Sequence, residues 1–261
     1  MQTSREKTII MSSHYKKYRN DRPTSFTVHL DNSVDISDVS RSVIKSVHFP
    51  NLFPNIDTYN NTLYFNVGAS SYTVTLPVGR YSVATLMSTL QGAIDASGAT
   101  TVTSISHDQD TYQLTIVTAD PIVFLSDWSI VELTGSVSSL NNTIGGPAHD
   151  DTTAATTTVL PGVLNLSGPT QIHVVSETIA GGHCCDSKGD SRSVVCIVPV
   201  DVPWGSTVHW TPQSHLLAFV DYNGDRNLST IDVKLTTTSG EPLTMPDNAH
   251  VEIELMAVYR S

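Results

Sequence analysis

Residues 46–94 read SVHFPNLFPNIDTYNNTLYFNVGASSYTVTLPVGRYSVATLMSTLQGAI. Two strand-like runs, a Pro/Gly turn and one amphipathic helix follow one another with no space for a catalytic loop. Tyr72, Val74 and Leu76 alternate with Ser71, Thr73 and Thr75, so a period-two strand has one apolar and one hydroxylic face. Pro77-Val78-Gly79 breaks the run. Ser82 stands where an N-cap hydroxyl is needed. Val83, Leu86, Met87, Leu90 and Ile94 then recur at helical spacing, which predicts a helix over 82–96.

Outward from this block the chain reads as short strands separated by turns. Strands are expected at 8–12, 25–30, 42–48, 62–67, 71–76, 101–106, 112–117 and 121–125. A later set is expected at 171–175, 193–198, 207–210, 215–220, 230–236 and 250–258. His107-Asp108-Gln109-Asp110 forms a hairpin tip. This pattern favours an all-β sandwich or barrel over an α/β fold. The 261 residues suit one large β domain with long loops. Two loops stand out, at 135–162 and 179–191. A long loop inside a compact domain is a functional surface or a disordered segment.

Charge is split along the chain. Up to Arg22 there are six basic residues (Arg5, Lys7, Lys16, Lys17, Arg19, Arg22) and two acidic ones, Glu6 and Asp21, a net of +4. The chain total of −11 leaves −15 for residues 23–261. An acidic body does not suit specific nucleic-acid binding, which needs a basic footprint. The basic segment 1–22 is read as an arm that reaches an acidic neighbour or a polyanion, or as a solvated terminus. Three cysteines make no disulfide framework, and with no apolar leader at the N-terminus they point to a reducing compartment. No run has the roughly 20 apolar residues of a membrane span.

The chemistry-bearing motifs are weak. His183-Cys184-Cys185-Asp186 has adjacent cysteines, which reach one zinc ion poorly, and no second Cys/His pair follows. Cys196 lies in an apolar run and reads as a small hydrophobe. Asp221, Asn223, Asp225, Asn227 and Asp232 match a calcium-loop spacing, but Arg226 stands where the sharp turn needs glycine. A polar hairpin loop is the competing reading. There is no Gly-x-Ser-x-Gly elbow, His-Glu-x-x-His or phosphate-cradling loop. The ten histidines show no clustering along the chain. Asn60, Asn141, Asn165 and Asn227 head Asn-x-Ser/Thr triplets that are read as chance. Trp204, Trp210 and Tyr222 lie in one third of the chain, either as contact anchors or as caps on a sandwich end. The expectation is a protein with no catalytic residues, metal or cofactor, and so no enzyme.

The opening block also resembles a known family. Penton (vertex) capsid proteins of the jelly-roll type, found in nucleocytoplasmic large DNA viruses, virophages and polinton-like elements, carry "IPNxxYNIxxxNNxLxF" followed by "YxVTLPxGxYSxxxLxxxLQxAL". The matching residues here are Phe49-Pro50-Asn51, Pro54-Asn55-Ile56, Asn60-Asn61-Thr62-Leu63-Tyr64-Phe65 and 72–94. Arg22-Pro23-Thr24-Ser25-Phe26-Thr27-Val28-His29-Leu30 resembles the family's "R-x-x-S-x-F-x-V-x-L". Residues 228–236 with Gly240-Glu241-Pro242-Leu243 resemble "LSxIDVxLTxxxGxPL". Residues 136–160 align to nothing in the family.

The resemblance implies a single jelly-roll β-sandwich over 23–261, with one inserted amphipathic helix and a loop-rich insertion at about 136–162. It implies a structural capsid protein that forms a homopentamer at icosahedral vertices and contacts neighbouring major and minor capsid proteins. The protein would reside in the virion and assemble in the host cytoplasm or nucleus. Competing readings are a minor or cement capsid protein and a carbohydrate-binding β-sandwich. The interaction residues expected are the six basic ones up to Arg22.

Overall fold

Ile9 and Met11 point into a core while Thr8 and Ile10 face solvent, the alternation of a half-buried strand. This strand, β1 (Arg5–Ser12), opens a computed structural model that describes residues 5–15, 22–30, 39–135, 139–179, 184–185, 191–212, 220–226 and 230–259. The chain divides into two compact units, Met1–Phe53 with Pro169–Ser261, and Pro54–Gly168.

The first unit begins with β1, β2 (Ser25–His29) and β3 (Val39–Pro50). The chain then leaves to build the second unit from β4 (Thr62–Val67), β5 (Ser70–Thr75), α1 (Val83–Ala96), β6 (Val102–His107), β7 (Leu114–Phe124), α2 (Asp127–Thr134), α3 (Leu140–Thr143) and β8 (Ala155–Val159). It returns through β9 (Gln171–Val175), the short pair β10 (Cys184–Cys185) and β11 (Ser191–Arg192), β12 (Val194–Pro199), β13 (Thr207–Trp210), β14 (Val220–Arg226), β15 (Thr230–Thr236) and β16 (Glu252–Tyr259).

In the first unit two antiparallel sheets enclose one core. One runs β1-β16-β3-β13, with β14 also on β3; the other runs β12-β9-β15-β2. Numbered within this unit without the short pair β10 and β11 and the added strand β14, the orders are 1-8-3-6 and 5-4-7-2, which is the double Greek key of a jelly roll. β3 and β16 alternate outward His48, Glu252 and Glu254 with inward Val47, Phe49, Ile253 and Leu255. Phe49 and Phe53 meet edge to face in the core at 5.7 Å. The strand order confirms the expected all-β jelly roll.

The second unit has its own core. A sheet β5-β4-β7-β6, with β8 on β7, packs Leu63, Phe65, Ile116 and Phe124 against Leu86, Leu90 and Ile94 of α1. The helix starts where the sequence predicts: Ser82 and Thr85 form a capping box. Val83 and Met87 are half-buried at its margin. The runs 112–117 and 121–125 are one strand. Pro121 lacks the ladder N–H, and it sits where β7 exchanges its partner β6, last paired at Thr118, for β4, first paired at Ile122.

Two expectations are redrawn. The chain of the jelly roll is interrupted between β3 and β9, and the segment expected as a loop-rich insertion at 136–162 is the last part of a larger folded insert. The basic stretch 1–22 is not an arm along its whole length, because β1 pairs with β16 from Arg5↔Tyr259 to Ser12↔Glu252. Its continuation is pinned by Ser13, whose N–H donates to the Val251 carbonyl and whose Oγ accepts from the Val251 N–H.

Deleting residues 1–12 is therefore expected to destabilise the jelly roll. Burial of Ile9 and Met11 alone contributes about 3–6 kcal/mol, so the urea midpoint falls sharply; an unchanged midpoint would contradict the placement of β1. Leu90→Asp is expected to cost several kcal/mol, because it puts an unpaired charge at a fully buried position of the insert. Thermal unfolding of the variant measures this.

Candidate functional site

Of the six basic residues, Arg5 and Lys7 lie on β1, Lys7 half-buried. Arg22 is exposed, and its backbone exchanges hydrogen bonds with Ser25 at the start of β2. It borders a small cleft with Thr24, Leu243, Met245 and Asp247. Lys16, Lys17 and Arg19 lie outside the described residues.

Cys184 and Cys185 form the short strand β10, while His183 and Asp186 lie outside the described residues. Burial pushes the Cys196 thiol up to about 12, so it stays protonated and packs against the jelly-roll core. Asp221, Asn223 and Asp225 follow one another along β14. Asn227 lies outside the described residues.

Asp232 is committed elsewhere. Its carboxylate accepts from the Thr178 hydroxyl at 2.6 Å, the Thr178 amide at 3.0 Å, the Glu177 amide at 3.2 Å and the Ser176 hydroxyl at 3.3 Å. Burial pushes this carboxyl up, but those hydrogen bonds outweigh it and hold it below the usual carboxylate range. Among the described residues no three His, Cys, Asp or Glu side chains converge on a point that could hold a metal ion.

Sequence reading missed a histidine cluster. Ser12↔Glu252, Glu252↔His48 and His48↔His209 are direct cross-strand partners, so the four residues form one row across β1, β16, β3 and β13. Directly opposed residues share a face. His48 Nδ1 and His209 Nδ1 meet at 2.5 Å, with ring centroids 4.5 Å apart. His250, two residues before Glu252, meets His14 edge-on at 4.7 Å. His48, His209, His250 and Glu252 line one open cleft with Leu52 and Asn248. These residues are far apart in sequence, and only the strand register brings them together.

Two other candidates become structural. Asn141 is fully buried. It accepts from the Tyr64 amide and donates to the Tyr64 and Leu125 carbonyls, which ties the segment after α2 to β4. A glycan does not fit there. Trp204 is half-exposed in the turn before β13, whereas Trp210 packs against the core. No described helix is long and apolar enough to cross a membrane.

No protein-family profile matches this chain, and no curated protein matches it. Among solved structures it is similar to the SeMet-labelled mavirus penton protein, at 10% identity and a TM-score of 0.49, over 98% of this chain and 100% of that one.

Asp232 carries a pH prediction. Its folded value lies below its unfolded one, so the stabilisation is complete above the ordinary carboxylate pKa of about 4 and is lost as pH falls through the depressed folded value. Asp232→Asn is expected to cost about 1–3 kcal/mol at neutral pH, with the gap to the parent closing in acid. Denaturant unfolding across pH reads this out, and a pH-independent gap would contradict it.

Proposed function

We propose that this protein is a structural capsid protein that forms a homopentamer at the vertices of an icosahedral shell. One juxtaposition carries the reading. The sequence blocks that resemble penton proteins fall, in order, on separate elements: β2 and β15 of a jelly roll with strand order 1-8-3-6 and 5-4-7-2, and between them β5 with the start of α1 in the insert that separates β3 from β9. The "R-x-x-S-x-F-x-V-x-L" block is the approach to β2 and β2 itself. The "YxVTLPxGxYS" block is β5, its turn and the cap of α1. The "LSxIDVxLT" block leads into β15.

The mechanism is assembly. Each sheet ends in unlike strands, β1 and β13 on one and β12 and β2 on the other. A contact between unlike surfaces is head-to-tail, and repeated by a closing rotation it makes a ring. The sandwich supplies rigidity, and no catalytic constellation is needed. Partners are four further copies and the neighbouring major and minor capsid proteins, and the place of action is the virion. Lys16, Lys17, Arg19 and Arg22 are the basic residues between β1 and β2, and they are suited to an acidic neighbour. Such attraction is screened beyond about 10 Å at 0.1 M salt.

Native mass spectrometry is expected to give five copies per particle; a monomer at high concentration, or another ring size, would overturn the pentamer. Charge reversal at Lys16, Lys17 and Arg19 is expected to leave the fold intact while lowering vertex occupancy and the salt sensitivity of attachment. Symmetry-resolved imaging of shells decides between fivefold axes and capsid faces.

A further inference from the structure

Two imidazole nitrogens face each other on the outer side of the jelly roll. His48 on β3 and His209 on β13 are direct cross-strand partners, and their Nδ1 atoms stand 2.5 Å apart. With nothing between them, one Nδ1 carries a proton and the other a lone pair. With both rings protonated at Nε2 instead, two lone pairs point at one spot. Two nitrogens that share one tetrahedral ion at about 2.0–2.1 Å stand roughly 3.3 Å apart, so the rings need to part by less than about 1 Å.

The strands hold this pair in place. Val47 and Phe49 on either side of His48, and Val208 and Trp210 on either side of His209, pack into or against the core. Inward packing therefore fixes both backbones, while His48 stays half-buried and His209 exposed on the opposite face. Ligands held in register before binding lower its cost. In the chain the two histidines are 161 positions apart, so the paired set exists only in the folded protein.

The surroundings suit a cation. Glu252 is exposed and lies directly opposite His48 on the β16 side, where its charge attracts a positive ion. Among the described residues no third His, Cys, Asp or Glu completes a preformed set. The remaining coordination positions therefore open to the cleft that Glu252 and His250 also line, and water fills them. Imidazole nitrogens suit zinc-class transition ions, whereas magnesium and calcium take oxygen ligands.

We propose that His48 and His209 form a two-histidine site for a divalent transition ion such as zinc, which clips β13, the end strand of its sheet, to β3. The site uses residues of one chain only, so it holds whether or not the protein forms a ring.

The test uses the purified full chain with zinc chloride and magnesium chloride as probes. Zinc is expected to raise the urea midpoint saturably, because an ion bound by the folded state stabilises it by mass action. Magnesium at the same concentration is expected to leave the midpoint where it was. His48→Gln and, separately, His209→Gln are expected to abolish the zinc effect. The same zinc effect in either variant would assign the ion to other residues, the cysteines of β10 among them, and overturns the proposal. So does a parent that zinc leaves unchanged. Should a glutamine variant fail to fold, ring-nitrogen NMR of the parent decides. Zinc is expected to leave Nε2–H on both His48 and His209 and to shift both Nδ1 signals as metal-bound nitrogens. Zinc that shifts the His250 or His14 rings and leaves His48 and His209 unmoved overturns the site.

Discussion

The register between β3 and β16 is the constraint on which the jelly roll depends. β3 borders β16 on one side and both β13 and β14 on the other, and β16 carries β1. A one-residue slip would turn Val47, Phe49, Ile253 and Leu255 outward together, so burial selects one alignment. The register shift between Glu254 and Leu255 holds Lys45 outward against Glu254 without breaking that alternation. The same alignment sets Ser12, Glu252, His48 and His209 side by side. The chemistry of the outer face is thus a consequence of how the inner face packs.

The acidic composition also has a structural side. Asp57 accepts from the Tyr59 and Asn60 amides, and Asp95 from the Val102 amide. Asp108 accepts from Asp110, Asp151 from Ser126 at the start of α2, and Asp232 from the turn after β9. Carboxylates that accept from backbone amides fasten turns without needing a cationic partner. Lys45 and Glu254 form an ion pair at 3.5 Å. These five aspartates of the 25 acidic residues serve loop geometry, so net charge alone says little about what the surface binds.

How far the sequence could be read depended on whether a signal was local. The cap at Ser82, the spacing of Leu86, Leu90 and Ile94, and the alternation in residues 171–175 and 230–236 are local, and they matched the structure closely. α2 escaped because Ile130 is its one buried apolar residue, while Trp128 and Leu133 are exposed; its cap Ser126 and the left-handed Gly135 were the readable signs. The stretch 135–162 read as a loop because the order of its described part comes from Asn141 and from the close approach of Gly145 to Gly162, where a Cβ would collide with backbone. The histidine cluster is set by pairing across more than 150 residues, and no window on the sequence contains it.

The insert between β3 and β9 has its two ends together. A Cβ on Gly168 would lie 3.7 Å from the Pro54 carbonyl, and Asn55 donates to the Leu166 carbonyl. β3 and β9 belong to one jelly roll, yet residues 54–168 separate them in the chain. Closing an unstructured loop of that length costs on the order of 4 kcal/mol of chain entropy. Once the insert has folded around its own core, its termini are already joined and that cost has been met locally. The insert is in this sense a staple made of protein: the sandwich is closed by a connection that behaves as a short turn.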